Sequence, residues 1–119
     1  MTTLIIGASE QPHRYSHLAA LRLLEAGLPI LMLGKQEGKV NGQPIYKVLP
    51  ANHPEVHTIT LYVNPSHQEI YRELIIFLKP KRVIFNPGTE NLALMQELAA
   101  AGVDAFPACT LVMLSTGQF

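Results

Sequence analysis

Short apolar runs alternate with helix-like segments along the whole chain. Several of these runs end on glycine or on Asn-Pro, and one helix-to-strand joint is used twice, at Glu25-Ala26-Gly27-Leu28 and Ala100-Ala101-Gly102-Val103. Together these features predict an α/β fold, a doubly wound, mainly parallel sheet of five to six strands with helices on both faces. The first strand is the buried run 3–6, closed by Gly7. A loop follows, and Ser16 is the expected N-cap of a helix to Ala26, with Leu18, Leu21 and Leu24 on one stripe. Residues 29–33 form the second strand, with Pro29 at a tolerated first position. Residues 34–42 read as polar and irregular. Residues 44–48 read as a third strand, which Pro44 places at an edge.

The β-branched run 58–63 is the fourth strand. Asn64 and Pro65 then read as cap and first residue of a helix to about Leu78, with Ile70, Leu74 and Phe77 on its apolar face. Pro80 stops it. Residues 82–85 make a fifth strand, and 86–91 a loop. A helix carries Leu92, Met95 and Leu98, and residues 103–106 are a last strand. Parallel βαβ units with right-handed crossovers imply a Rossmann-like order 3-2-1-4-5-6. Ligands in such sheets sit at the carboxyl ends of the strands near the switch point. Attention therefore falls on loops 7–16, 64–66 and 86–91.

Composition excludes several classes. Two domains would leave about 60 residues each, near the limit for a stable core, so residues 1–119 are expected to form one domain. With 48% hydrophobic and 15% charged residues, the chain is not a disordered linker. Nine basic and nine acidic residues cancel, which argues against broad nucleic-acid contact but not against one small anionic ligand. Cys109 is the only cysteine, so no internal disulfide forms. No apolar run approaches a membrane span of roughly 20 residues, and Met1 to Leu4 show no signal-peptide pattern. A cytoplasmic location without membrane contact is expected.

The loop from Gly7 through Ala8, Ser9, Glu10, Gln11, Pro12 and Arg14 to Ser16 occupies the place of a dinucleotide fingerprint. Ser9 and Pro12 stand where the second and third glycines would be. A helix N-terminus still offers free N–H groups to a phosphate, and Ser9 and Arg14 add a hydroxyl and a cation. The plain alternative is a βα turn with a surface arginine. After the second strand stand Gly34-Lys35, with no acid before Glu37. NAD-binding folds place an acid there for the ribose hydroxyls; a lysine favours a phosphorylated ribose, or is simply a surface lysine. Asn64-Pro65 and Asn86-Pro87 both close strands beside the expected site, and Gly88 opens the next helix start. Capping alone also accounts for them. The five histidines show no metal-ligand spacing. Cys109 has no identifiable base, and no nucleophile elbow, P-loop or paired carboxylates occur.

Four segments in order, Gly7-Ala8-Ser9…Pro12…Arg14-Tyr15-Ser16, Leu61-Tyr62-Val63-Asn64-Pro65, Asn86-Pro87-Gly88-Thr89-Glu90-Asn91 and Ala108-Cys109-Thr110-Leu111…Ser115-Thr116-Gly117-Gln118, resemble the stand-alone CoA-binding domain family. That family is similar to the N-terminal CoA-binding domain of the succinyl-CoA synthetase alpha subunit. The resemblance implies a Rossmann-like fold whose first loop and helix hold the CoA diphosphate, with Ser9, Glu10, Gln11 and Pro12 lining it. Gly42-Gln43-Pro44-Ile45-Tyr46 matches the synthetase's Gly-x-Pro-Val-Phe-like segment, and Lys35 keeps the family lysine's seven-residue offset from it. Phe85, Asn86 and Pro87 fall at the other contact. Stand-alone members often read Asn-Pro-Lys-Gly after the second strand, whereas this chain has Leu33-Gly34-Lys35-Gln36, which leaves Lys39 as a rival cation. The synthetase's phosphohistidine belongs to a domain not found in this sequence.

The function expected is non-catalytic binding of coenzyme A or an acyl-CoA. The alternatives are a fragment of an NAD(P)- or other nucleotide-binding enzyme and a regulatory interaction module. A homodimer or another protein partner stays open.

Overall fold

The computed structural model describes residues 1–119. β1 (Thr2–Ile6) is buried along its whole length, as a central parallel strand must be. α1 (Tyr15–Glu25) returns the chain to β2 (Ile30–Leu33). A hairpin follows, β3 (Gly38–Val40) and β4 (Gln43–Tyr46), and then β5 (Val56–Leu61). A 3-10 turn (Pro65–His67), α2 (Glu69–Leu78), β6 (Arg82–Phe85), α3 (Leu92–Ala100), β7 (Asp104–Pro107) and α4 (Thr110–Ser115) complete the chain. The sheet has seven strands in the order β3-β4-β2-β1-β5-β6-β7, all parallel except β3 against β4. The Rossmann-like order inferred from the sequence is present, with one extra antiparallel strand at its edge.

Alternation along the strands divides the core. Leu4, Ile6, Ile59, Leu61, Val83 and Phe85 face α2 and α3 and meet Tyr71, Ile75, Leu94 and Leu98. Ile5 and Met32 face the other way, onto Ala20 and Leu23 of α1, with Leu114 of α4 beside them. Helices thus cover both faces.

Several local expectations are corrected. Residues 34–42 are not irregular throughout: Asn41 and Gly42 both have positive φ (49° and 79°), the requirement of a tight two-residue hairpin turn, and they build β3. Pro44 is consequently not at the sheet edge. It faces Lys39 across the hairpin, and the ladder with β2 starts only at Ile45, so no N–H is missed. Arg14, not Ser16, is the N-cap of α1; Ser16 lies inside the helix and is buried. The buried face of α1 is Ser16, Ala19, Ala20 and Leu23, leaving Leu18, Leu21 and Leu24 half-buried.

The segment 65–78 is not one helix. The 3-10 turn resets the phase, so Tyr71 and Ile75 are buried while Ile70 and Phe77 are exposed. In α3, Asn91 caps the helix by accepting from Leu94 N–H at 3.1 Å, and Leu94 and Leu98, not Leu92, reach the core. α4 had no expected counterpart.

Candidate ligand-binding cleft

The carboxyl ends of β1, β2 and β5 open into a cleft of about 700 Å³. Its floor is the loop after β1. Gly7 and Ala8 N–H both donate to Leu33 O, at 2.9 and 3.0 Å, tying that loop to the end of β2. Gly7 holds φ at 94°, and a Cβ there would come within 3.0 Å of Tyr62 O, so no larger residue fits without movement. Ser9 is fixed twice: its hydroxyl accepts from Gln11 N–H at 3.1 Å, and its carbonyl accepts from His17 Nδ1 at 2.9 Å. Glu10 reaches outward, its carboxylate accepting from Lys39 N–H at 2.8 Å.

α1 begins at this loop. No side chain caps it, and no acidic residue occupies its first turn. Arg14 O accepts from His17 and Leu18 N–H, at 3.1 and 3.2 Å, which leaves the Tyr15 and Ser16 N–H groups without an intrahelical partner at the positive end of the dipole. Arg14 lines the cleft at this point, Lys35 lines it from the end of β2, and neither is in an ion pair. Opposite them the wall is Tyr62, Val63 and Asn64 after β5, with Ser66 and His67 of the 3-10 turn.

A second, more apolar groove of about 680 Å³ adjoins the cleft. The two share Lys35, Ile70 and Tyr71. Beyond them the groove runs between Lys47, Val48 and Leu49 after β4 and Leu74 and Phe77 of α2. It has no acidic lining residue, so Lys35 and Lys47 set its charge. The exposed Ile70 and Phe77 form part of its wall.

Residues 1–115 match the model of a family described as CoA binding domain. The chain belongs to the CoA-binding domain family. A crystal structure of an uncharacterized protein is 45% identical to this CoA-binding domain, with a TM-score of 0.90, covering 99% of this chain and 97% of that one. A hypothetical protein from Pyrococcus horikoshii OT3 is 23% identical (TM-score 0.87, 96% and 81% covered). A protein from Thermus thermophilus is 21% identical (TM-score 0.87, 99% and 90% covered). These last two share the fold. No curated protein matches the chain.

Of the residues singled out from the sequence, Gly7, Ala8, Ser9, Glu10, Gln11, Arg14, Lys35 and Asn64 line the cleft of the CoA-binding domain. Pro12 and Pro65 are exposed beside it without lining it, and Ser16 is buried beneath it. The loop after β6 is not part of its wall. Phe85 is wholly buried in the core, and Pro87 and Gly88 are exposed without lining the cleft. Asn86 is 1% exposed. Its amide donates to Thr60 Oγ1 (2.8 Å) and Leu61 O (2.9 Å), and its carbonyl accepts from Thr110 N–H (2.9 Å). That side chain knits β5, β6 and α4 together, with no polar atom left over. Lys39 is in neither cavity wall.

Tyr62, His67 and Lys47 also line the walls without a mark in the sequence, although Tyr62 lies two residues before Asn64-Pro65. Burial pushes the Tyr62 phenol up to about 12. The nearby Thr60 and Thr110 hydroxyls offset this only in part; they bond each other at 2.7 Å, and the buried phenol has no hydrogen-bond partner. No three His, Cys, Asp or Glu side chains cluster as a metal site would need. No helix is long and apolar enough to cross a membrane.

Proposed function

We propose that this CoA-binding domain holds coenzyme A or an acyl-CoA in the cleft and performs no chemistry on it. The observation that carries this reading is the unpaired Arg14 in the cleft wall, standing at the uncapped start of α1. A diphosphate takes the free N–H groups and the guanidinium. The adenosine end then points toward β2, where Lys35 and Lys47 receive the 3′-phosphate and the apolar groove receives the adenine ring. The fold places no acid directly after β2, as a free ribose would require, but Glu37 lines the cleft two residues further on. That single observation favours NAD as the rival ligand.

Absence of catalysis is supported by the side chains at hand. Cys109 lines neither cavity, and His67 in the cleft wall has no nucleophile bonded to it. Isothermal titration with CoA, dephospho-CoA and NAD tests the ligand, and acyl-CoA hydrolysis assays test inertness. Binding of CoA without turnover is the expected result. NAD binding without CoA binding would replace this reading with that of an NAD(P)-binding enzyme fragment.

A further inference from the structure

We infer that Glu10 acts as a clasp that positions the phosphate loop, not as a ligand contact. This rests on the CoA reading above and adds to it how the site is held in shape. The observation begins with Pro44. Lys39 and Pro44 face each other across the β3–β4 hairpin, and proline has no N–H to donate. That pair must be of the non-hydrogen-bonded kind, so the Lys39 N–H points away from β4, toward the open edge of the sheet. An edge N–H is ordinarily left to water. Here the Glu10 carboxylate takes it at 2.8 Å, from a residue 29 positions earlier in the chain.

Gly38 is the second part of the clasp. A Cβ at Gly38 would lie 2.6 Å from Glu10 Cγ and 2.8 Å from its Oε1. The strand leaves room for the Glu10 side chain only because residue 38 has none. The loop that starts on β1 is therefore fastened at its far side to the outermost strand. Together with the Ser9–His17 bond, this fixes the loop before any ligand arrives. Preorganisation of this kind raises affinity by removing the ordering cost of binding. The clasp also commits a carboxylate that would otherwise be free to swing toward a bound diphosphate.

The test is a double-mutant cycle on Gly38→Ala and Glu10→Ala, with Glu10→Gln as the conservative variant. Kd for CoA is read by calorimetry, and the Lys39 amide by hydrogen exchange. Glu10→Ala is expected to weaken CoA about tenfold, the scale of one charge-assisted contact, and to deprotect the Lys39 amide. Glu10→Gln keeps an acceptor and should restore much of both. Gly38→Ala evicts the Glu10 side chain, so it should mimic Glu10→Ala and add nothing in its presence. Unchanged Kd in Glu10→Ala, or additive losses in the double variant, would overturn the clasp. If wild type binds no CoA, the ligand reading fails, and the Lys39 amide still decides whether the clasp exists: full protection in Glu10→Ala would refute it.

Discussion

Replacing Asn86 by alanine separates a ligand residue from a structural one. Asn86 is buried, and its side chain makes three hydrogen bonds, to Thr60, Leu61 and Thr110. Alanine removes the partner of Thr110 N–H and a donor to Leu61 O; Thr60 Oγ1 keeps Thr110 Oγ1 at 2.7 Å. Leaving two buried polar groups short of a partner costs about 1–3 kcal/mol each, so a loss of roughly 4 kcal/mol is expected. For a domain of this size that is on the order of 15 °C in melting temperature. α4 loosens first, because Asn86 holds its first residue. The assay is thermal and urea unfolding of the ligand-free protein, followed by CoA titration well below the melting point. A large stability loss with CoA affinity within about threefold of wild type is expected, since Asn86 lines neither cavity. A variant of wild-type stability that has lost CoA would refute the reasoning and return Asn86 to the ligand.

Arg14→Ala should show the opposite pattern. CoA weakens about tenfold or more, while the melting temperature of the free protein barely moves, because Arg14 is exposed and in no ion pair; a collapse of apo stability would make Arg14 structural. Wild type should prefer CoA over dephospho-CoA by about ten- to a hundredfold. Lys35→Ala and Lys47→Ala should each erode that preference and Lys39→Ala should not; loss with Lys39→Ala alone would move the phosphate to the sheet edge. Tyr62 stays protonated to about pH 12 in the folded state. The unfolded chain releases that proton near pH 10, so stability should fall as pH climbs from 10 toward 12. Tyr62→Phe should flatten that slope, and an unchanged slope would show that Tyr62 ionises normally.

The central sheet was legible because parallel strands are buried on both faces and so read as unbroken apolar runs, as in Leu4-Ile5-Ile6 and Val83-Ile84-Phe85. The hairpin was not read, although Asn41-Gly42 is the dipeptide that a tight hairpin turn demands; the polar surroundings and short strands hid it. The buried face of α2 was not legible, because the apolar Ile70 and Phe77 line a groove and not the core. Apolar spacing alone cannot tell those two apart. That the first loop and Lys35 line the cleft was legible from their position after strands. Asn86 was not, since a buried amide that stitches three elements and one that faces a ligand have the same sequence signature. Lys47 follows a strand whose neighbour only the sheet order reveals, so no local pattern marks it.

Parallel calorimetric titrations of the same purified protein with CoA and with NAD test the central claim most directly. Saturable one-to-one binding of CoA, with NAD showing no heat at the same concentrations, is the expected result. Saturable NAD binding with no response to CoA would contradict the claim.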